Sequence, residues 1–419
     1  MTFSTSAYLV LLLLLAIQLL AAVPWAWLLF LKREDVLPWL RRSLDALKQG
    51  DPAARRGALQ IAAALVAVLV APLVFIALGG SGGSLEILGY GYGAVLQMQL
   101  LIDAFIVVFV LLLNLWPKGG AIALAAFREG VRQPMFWLLF GVAFAALTIS
   151  PFIPYWTFGE DHLVIREIGY DTILLIAAVF GTIAASMSIS EEIEGRTAVT
   201  LMSKPVSRRH FLIGKFLGIV LAAGVFFALL GVYFQGITLF KHWWDKMDPE
   251  PTPVWILTTL RDGQLPGVSR DLFRGIFLWT HLTLDIAPGL ILGYALDWFL
   301  IAVAVSLATR VPMVVNLITV VVLFFLANLA PTLVGIGYEA QRANPGAAVS
   351  QILYFMAQLF DTLLPNLDTF RLKPALLQDT PPPPADFTKF LASVSIYGGL
   401  YTAIALLFGL ILFEDRDLA

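Results

Sequence analysis

The sequence has no cysteine and only four histidines in 419 residues. The first absence excludes disulfides, thiolate metal sites and cysteine nucleophiles. His162, His210, His242 and His281 stand apart in the chain, and none belongs to an H-E-x-x-H spacing, so no metal site is expected. Charge is scarce as well. Asp, Glu, Lys and Arg make up 13% of the residues, against about 25% in a soluble domain. The net charge of −2 implies no polyanion partner, and no nucleic acid is expected. A phosphate loop is also missing: Gly214-Lys215 is followed by Phe216 and lacks the upstream glycine, so ATP hydrolysis is not expected of this chain. An enzymatic role and a bound cofactor therefore have little to stand on.

What is present is apolar length. Apolar residues make up 59% of the chain, and a membrane-crossing helix needs about 20 of them in a run. The first 31 residues carry no charge and have no basic leader, which reads as a retained span rather than a signal peptide. Further runs cover 58–80, 94–116, 134–156, 172–189, 216–238, 287–308, 312–335 and 391–413. The fold class expected is an all-α membrane protein, a polytopic bundle of about nine transmembrane helices.

Basic residues give an expected orientation, because short cytoplasmic loops are enriched in Lys and Arg. Lys32, Arg33, Arg41, Arg42, Lys48, Arg55 and Arg56 lie between the first two runs. That loop is expected inside and the N-terminus outside. Alternation then puts 117–133, 190–215, Arg310 and the C-terminal tail inside. Residues 239–286 and 336–390 become extracytoplasmic loops.

Two amphipathic helices are expected on the membrane surfaces. In 35–50, Leu37, Leu40, Leu44 and Leu47 recur at helical spacing with Arg41, Arg42 and Lys48 facing away. In 347–364, Ile352, Leu353, Phe355, Met356, Leu359 and Phe360 repeat the pattern, and Gln351, Gln358 and Asp361 argue against a further span. Trp243, Trp244, Trp255 and Trp279 suit the outer interface.

Two acids interrupt apolar runs near their centres, Asp103 and Asp297. An Asp there costs about 2.5–3.5 kcal/mol, which the surrounding Leu, Ile, Phe and Val offset. Such an acid either faces a polar path through the membrane or pairs inside the bundle with a tyrosine, asparagine or backbone donor. Composition leaves both readings open.

Residues 190–218, SEEIEGRTAVTLMSKPVSRRHFLIGKFLG, are the most polar sequence between two apolar runs. Ser188 with Glu191 fits a capping box, so Glu191, Glu192 and Glu194 are expected at the start of a short helix whose dipole favours them. Ser207 suits the cap of the next helix, with Arg208, Arg209 and Lys215 anchoring it at the inner headgroups. The residues by themselves allow either a docking surface or a solvated connector.

The same string, E-E-I-E-G-R-T followed by S-K-P-V-S-R-R-H-F-L-I-G-K, resembles the most recognisable segment of type 2 ABC transporter permeases. Gly195-Arg196 stands where members often have Arg-Gly. Ala126-Phe127-Arg128-Glu129, with Arg132, resembles the elbow helix before the first core span. Leu364-Pro365-Asn366-Leu367 and the tail Phe413-Glu414-Asp415-Arg416-Asp417-Leu418 resemble segments of permeases linked to multicopper-enzyme maturation. The resemblance covers about 120–419 and implies a six-helix permease core over 117–419, with residues 1–116 as a three-span extension. It implies that 190–209 is a cytoplasmic coupling helix segment, and that Glu191, Glu192, Glu194, Gly195, Arg196 and Thr197 contact an ABC ATPase subunit. It further implies an elbow formed by Phe127, Arg128, Glu129 and Arg132, a second permease chain, ATP and Mg on the ATPase, surrounding lipids and a bacterial cytoplasmic membrane. The expected function is the permease subunit of an ATP-driven exporter; the alternative is a scaffold that binds the ATPase and moves nothing.

Overall fold

A computed structural model describes residues 82–153, 161–194, 207–244, 253–262, 267–363, 366–372 and 384–414, together with a few positions between 16 and 24. Among these residues the chain is helical and has no strand. The helices are α1 (Gly82–Leu115), α2 (Pro117–Arg132), α3 (Pro134–Ile149), α4 (Asp161–Glu194), α5 (Arg208–Trp244), α6 (Val254–Asp262), α7 (Gly267–Ala308), α8 (Met313–Ala343), α9 (Ala348–Leu363) and α10 (Pro384–Glu414). Six are long and apolar enough to cross a membrane, or seven with α8 counted as one span, its parts Met313–Leu329 and Thr332–Ala343 being bent by 46°. These seven match the expected runs from 94–116 onward, so the chain is an all-α, multi-pass membrane protein. The expected runs 1–31 and 58–80 and the amphipathic helix 35–50 lie outside the described residues. The expected amphipathic stretch at 347–364 is α9, with Ile352, Leu353, Phe355, Met356 and Leu359 all exposed.

The chain divides into two compact units, Met1–Val110 with Glu250–Thr283, and Leu111–Pro249 with Leu284–Ala419. In the first, α6 supplies Ile256 and Leu260 to a small core with Phe273. The backbones of α1 and α7 meet at Gly89 and Gly275, where a side chain on either would strike the other helix. The Trp279 indole donates to the Gln97 side chain at 2.8 Å. Expected at an interface, Trp279 is instead 6% exposed; Trp243, Trp244 and Trp255 do stand exposed.

The second unit is organised on α5, which packs against α2, α3, α4 and α10. Its core centres on Phe136, Phe180 and Phe226, with ring centroids 4.5–5.2 Å apart and no exposure. The α2–α5 contact is a seam of small residues. Gly119, Ala123, Ala126 and Gly130 are the buried face of α2. Gly214, Gly218 and Ala222, four apart on α5, receive them: Gly218 meets the Ala123 carbonyl, and Gly130 meets Ala222. Where surrounding lipid is as apolar as the side chains, such close backbone approach is what draws two helices together.

Candidate functional site

At one end of the second unit, the last described turn of α4 meets the first turns of α5 and the end of α2. The Lys215 ammonium lies 2.6 Å from the Glu192 carboxylate and 3.4 Å from that of Glu129, and it donates to Ser188 Oγ at 2.7 Å. The Ser188 hydroxyl donates to Glu129 at 3.1 Å. Lys215 is only 5% exposed; a buried ammonium is stable when its charge and its donors are matched, and here three oxygens on two other helices do so.

This arrangement changes four expectations. Ser188 starts no helix, because α4 runs unbroken through Glu194; its hydroxyl is taken up by Glu129 and Lys215 instead of a backbone amide. Glu191, Glu192 and Glu194 therefore lie in the last described turn of α4 rather than at the start of a new helix. Lys215, expected at the inner headgroups, turns inward to Glu192, Glu129 and Ser188. Glu192 is itself part of the internal node, with 26% of its side chain exposed. Gly195, Arg196 and Thr197 lie outside the described residues.

Of the elbow residues, Glu129 joins the node, Phe127 is half-buried, and Arg128 and Arg132 are exposed. Ser207 bonds the His210 amide at 3.3 Å, as a cap of α5 should. Arg209 is exposed. Arg208 reaches across the fold: it donates to the Phe413 and Glu414 carbonyls, each at 2.7 Å, with its guanidinium 5.6 Å from the Phe413 ring centre. Arg310 adds a bond to the Leu412 carbonyl at 2.8 Å. Two cations thus converge on the carbonyls of the last described turn of α10.

Further contacts fix this end. Ser190 donates to the Ala308 carbonyl at 2.9 Å. Asn316 donates to Ser186 and to the Ala304 carbonyl, both at 2.9 Å. None of these serines or Asn316 was singled out from sequence, since nothing local marks a polar residue whose partner lies over a hundred positions away.

The opposite end of the unit holds a polar cleft. Arg166, Glu167 and Asp171 of α4, Asn328 of α8 and Arg371 line it, and Gly289 and Gly293 of α7 form one wall. Arg371 pairs with Asp171 at 3.0 Å, and Arg166 is 6% exposed. The cavity volume is about 50 Å³, room for a few waters.

The sequence leaves two readings open for the intramembrane acids, a polar path or a partner inside the bundle. Asp297 has no exposure and Asp103 only 6%. Neither carboxyl oxygen of either residue has a hydrogen-bond partner among the described residues. No group of His, Asp and Glu fit to hold a metal occurs among the described residues.

No curated protein matches the chain. A family model does, over residues 131–263, and its description is ABC-2 family transporter protein. That stretch begins at the end of α2 and takes in the aromatic core, α5 and the Ser188, Glu192 and Lys215 members of the node, while Glu129 precedes it. Residues 131–263 are therefore similar to an ABC-2 family transporter protein, consistent with a type 2 ABC permease.

Proposed function

We propose that this chain is the permease subunit of an ATP-driven exporter in the bacterial cytoplasmic membrane, with its N-terminus outside and its C-terminus inside. A separate ATPase, holding ATP and Mg, docks on the segment 190–209 through Glu191, Glu194, Gly195, Arg196 and Thr197. A second permease chain and the surrounding lipid complete the assembly. The family match supports a permease component of an ABC transporter, and such permeases in general imply an ABC ATPase partner.

The observation that carries the reading is the Lys215 node. Residues 195–206 leave from α4 and return to α5, and Lys215 ties those two helices together and to α2. A push on the segment is then delivered to three helices at once. Because α2 and α5 are in backbone contact along the seam, the displacement passes on with little loss to side-chain rearrangement.

The test is recovery of a partner. The tagged chain, drawn from its native membranes, is expected to bring down an ABC ATPase subunit identified by mass spectrometry, and to stimulate its hydrolysis. Reversing Glu191 and Glu194 together to Lys should lower that stimulation by about tenfold or more while leaving insertion unchanged, since an interfacial charge that loses its partner costs roughly 2–5 kcal/mol. Recovery of no ATPase sinks the proposal. The scaffold reading shares the docking surface and draws on the small cleft; movement of cargo in reconstituted vesicles separates the two.

A further inference from the structure

Asp297 is the only Asp, Glu, Lys, Arg or His in the stretches 134–153, 172–190, 216–240, 286–309, 313–338 and 390–413, which form the apolar body of the second unit. It sits on the inward stripe of α7. On that stripe, Leu290 fills the space over Gly231, Gly293 faces Phe227, and Ile301 fills the space over Gly181. Tyr294, one turn before it, donates to the Val220 carbonyl at 3.0 Å. The remaining titratable groups in those stretches are the tyrosines Tyr233, Tyr294, Tyr338, Tyr397 and Tyr401. No cation lies in these apolar stretches to neutralise Asp297, and neither of its oxygens accepts a hydrogen bond among the described residues.

The polar cleft stops just short of it. Gly293, in the cleft wall, lies four residues before Asp297 on the same face of α7, about 6 Å along the axis, and Leu296 beside it also lines the cleft. Arg166, Glu167, Asp171 and Arg371 make this end of the cleft polar. A cavity of about 50 Å³ admits a short file of waters but no cargo molecule. A metal ion would need several oxygen ligands, and no such group is found among the described residues.

We infer that Asp297 is a proton-binding site, loaded and emptied through the water cleft that ends at Gly293. The species bound is a proton: the cleft has room for a water file, and the site has no ligands for a metal. The carboxyl takes the proton on one oxygen and returns it to the nearest water, so nothing else is consumed or formed. This inference rests on the second unit alone and is independent of ATPase docking.

The test is infrared difference spectroscopy on the full chain in lipid vesicles at neutral pH. A carbonyl stretch of a neutral carboxylic acid should be present, lost in Asp297→Asn, shifted in Asp297→Glu and retained when only Asp103→Asn is made. In heavy water the Asp297 band should shift as its proton exchanges. Gly293→Ala should slow that exchange several-fold, because Gly293 lines the cleft nearest the acid and its added carbon, 3.4 Å from Phe227, is accommodated in ordinary contact. If Asp297→Asn fails to fold, the shift in Asp297→Glu still assigns the band. The inference is overturned by a wild-type spectrum with no neutral-acid band from Asp297, by loss of that band on adding sodium ions at constant pH, or by exchange that Gly293→Ala leaves unchanged.

Discussion

Lys215 shows how much one side chain can settle in a chain this poor in charge. Its ammonium is shared by two carboxylates, and removing it leaves both facing each other across a hydroxyl. Breaking a buried ion pair costs about 3–5 kcal/mol, but Glu129 keeps 43% and Glu192 26% of its side-chain exposure, so water recovers part of the loss. Lys215→Met is expected to destabilise the detergent-solubilised chain by about 1–3 kcal/mol, read as a lower thermal midpoint. Adding Glu192→Gln should restore part of it. If the two substitutions simply add, the node is not an energetic unit. The same geometry separates Glu192 from Glu191 and Glu194 as a test residue. Glu192→Lys would place a second ammonium against Lys215, so its effect on a partner cannot be told from its effect on the fold.

Among the elements, those read correctly from sequence were the ones defined by a long local pattern. Each described span is an apolar run whose length alone specifies it, and α9 shows its helical stripe within sixteen residues. The end of α4 was misread because the local signal, Ser188 three residues before Glu191, is outweighed by partners at positions 129 and 215. Arg208 and Arg310 were legible as charges but not as partners of α10, since the carbonyls they bind are contributed by residues 412–414. The α2–α5 seam was likewise hidden, because glycine in an apolar run carries no sign of what it faces. It makes a sharp prediction. Gly218→Leu must push α2 away from α5, because even the first added carbon collides with the Ala123 carbonyl. Overpacking typically costs about 1–3 kcal/mol, and the loss should exceed that of Gly236→Leu, whose site is open. Comparison of thermal midpoints for the two variants checks it.

For the whole molecule, the division into units bears on what can be removed. The first unit includes residues 250–283, where Trp279, Arg274 and Gly275 pack on α1. A chain lacking residues 1–80 keeps that surface covered; one lacking 1–116 uncovers it. Both should still recover the ATPase, but the shorter deletion should run as the sharper species in detergent by size-exclusion chromatography. Equal behaviour of the two would show that α1 contributes nothing to holding α7. The hold of Arg208 on α10 has a practical side. The Glu414 carbonyl is tied to Arg208, inside the segment 190–209 proposed to receive the ATPase. A fluorescent protein or affinity handle joined directly after Glu414 would start beside that landing zone. Such a fusion would crowd out the very subunit it is meant to capture, so a handle belongs away from this end of α10.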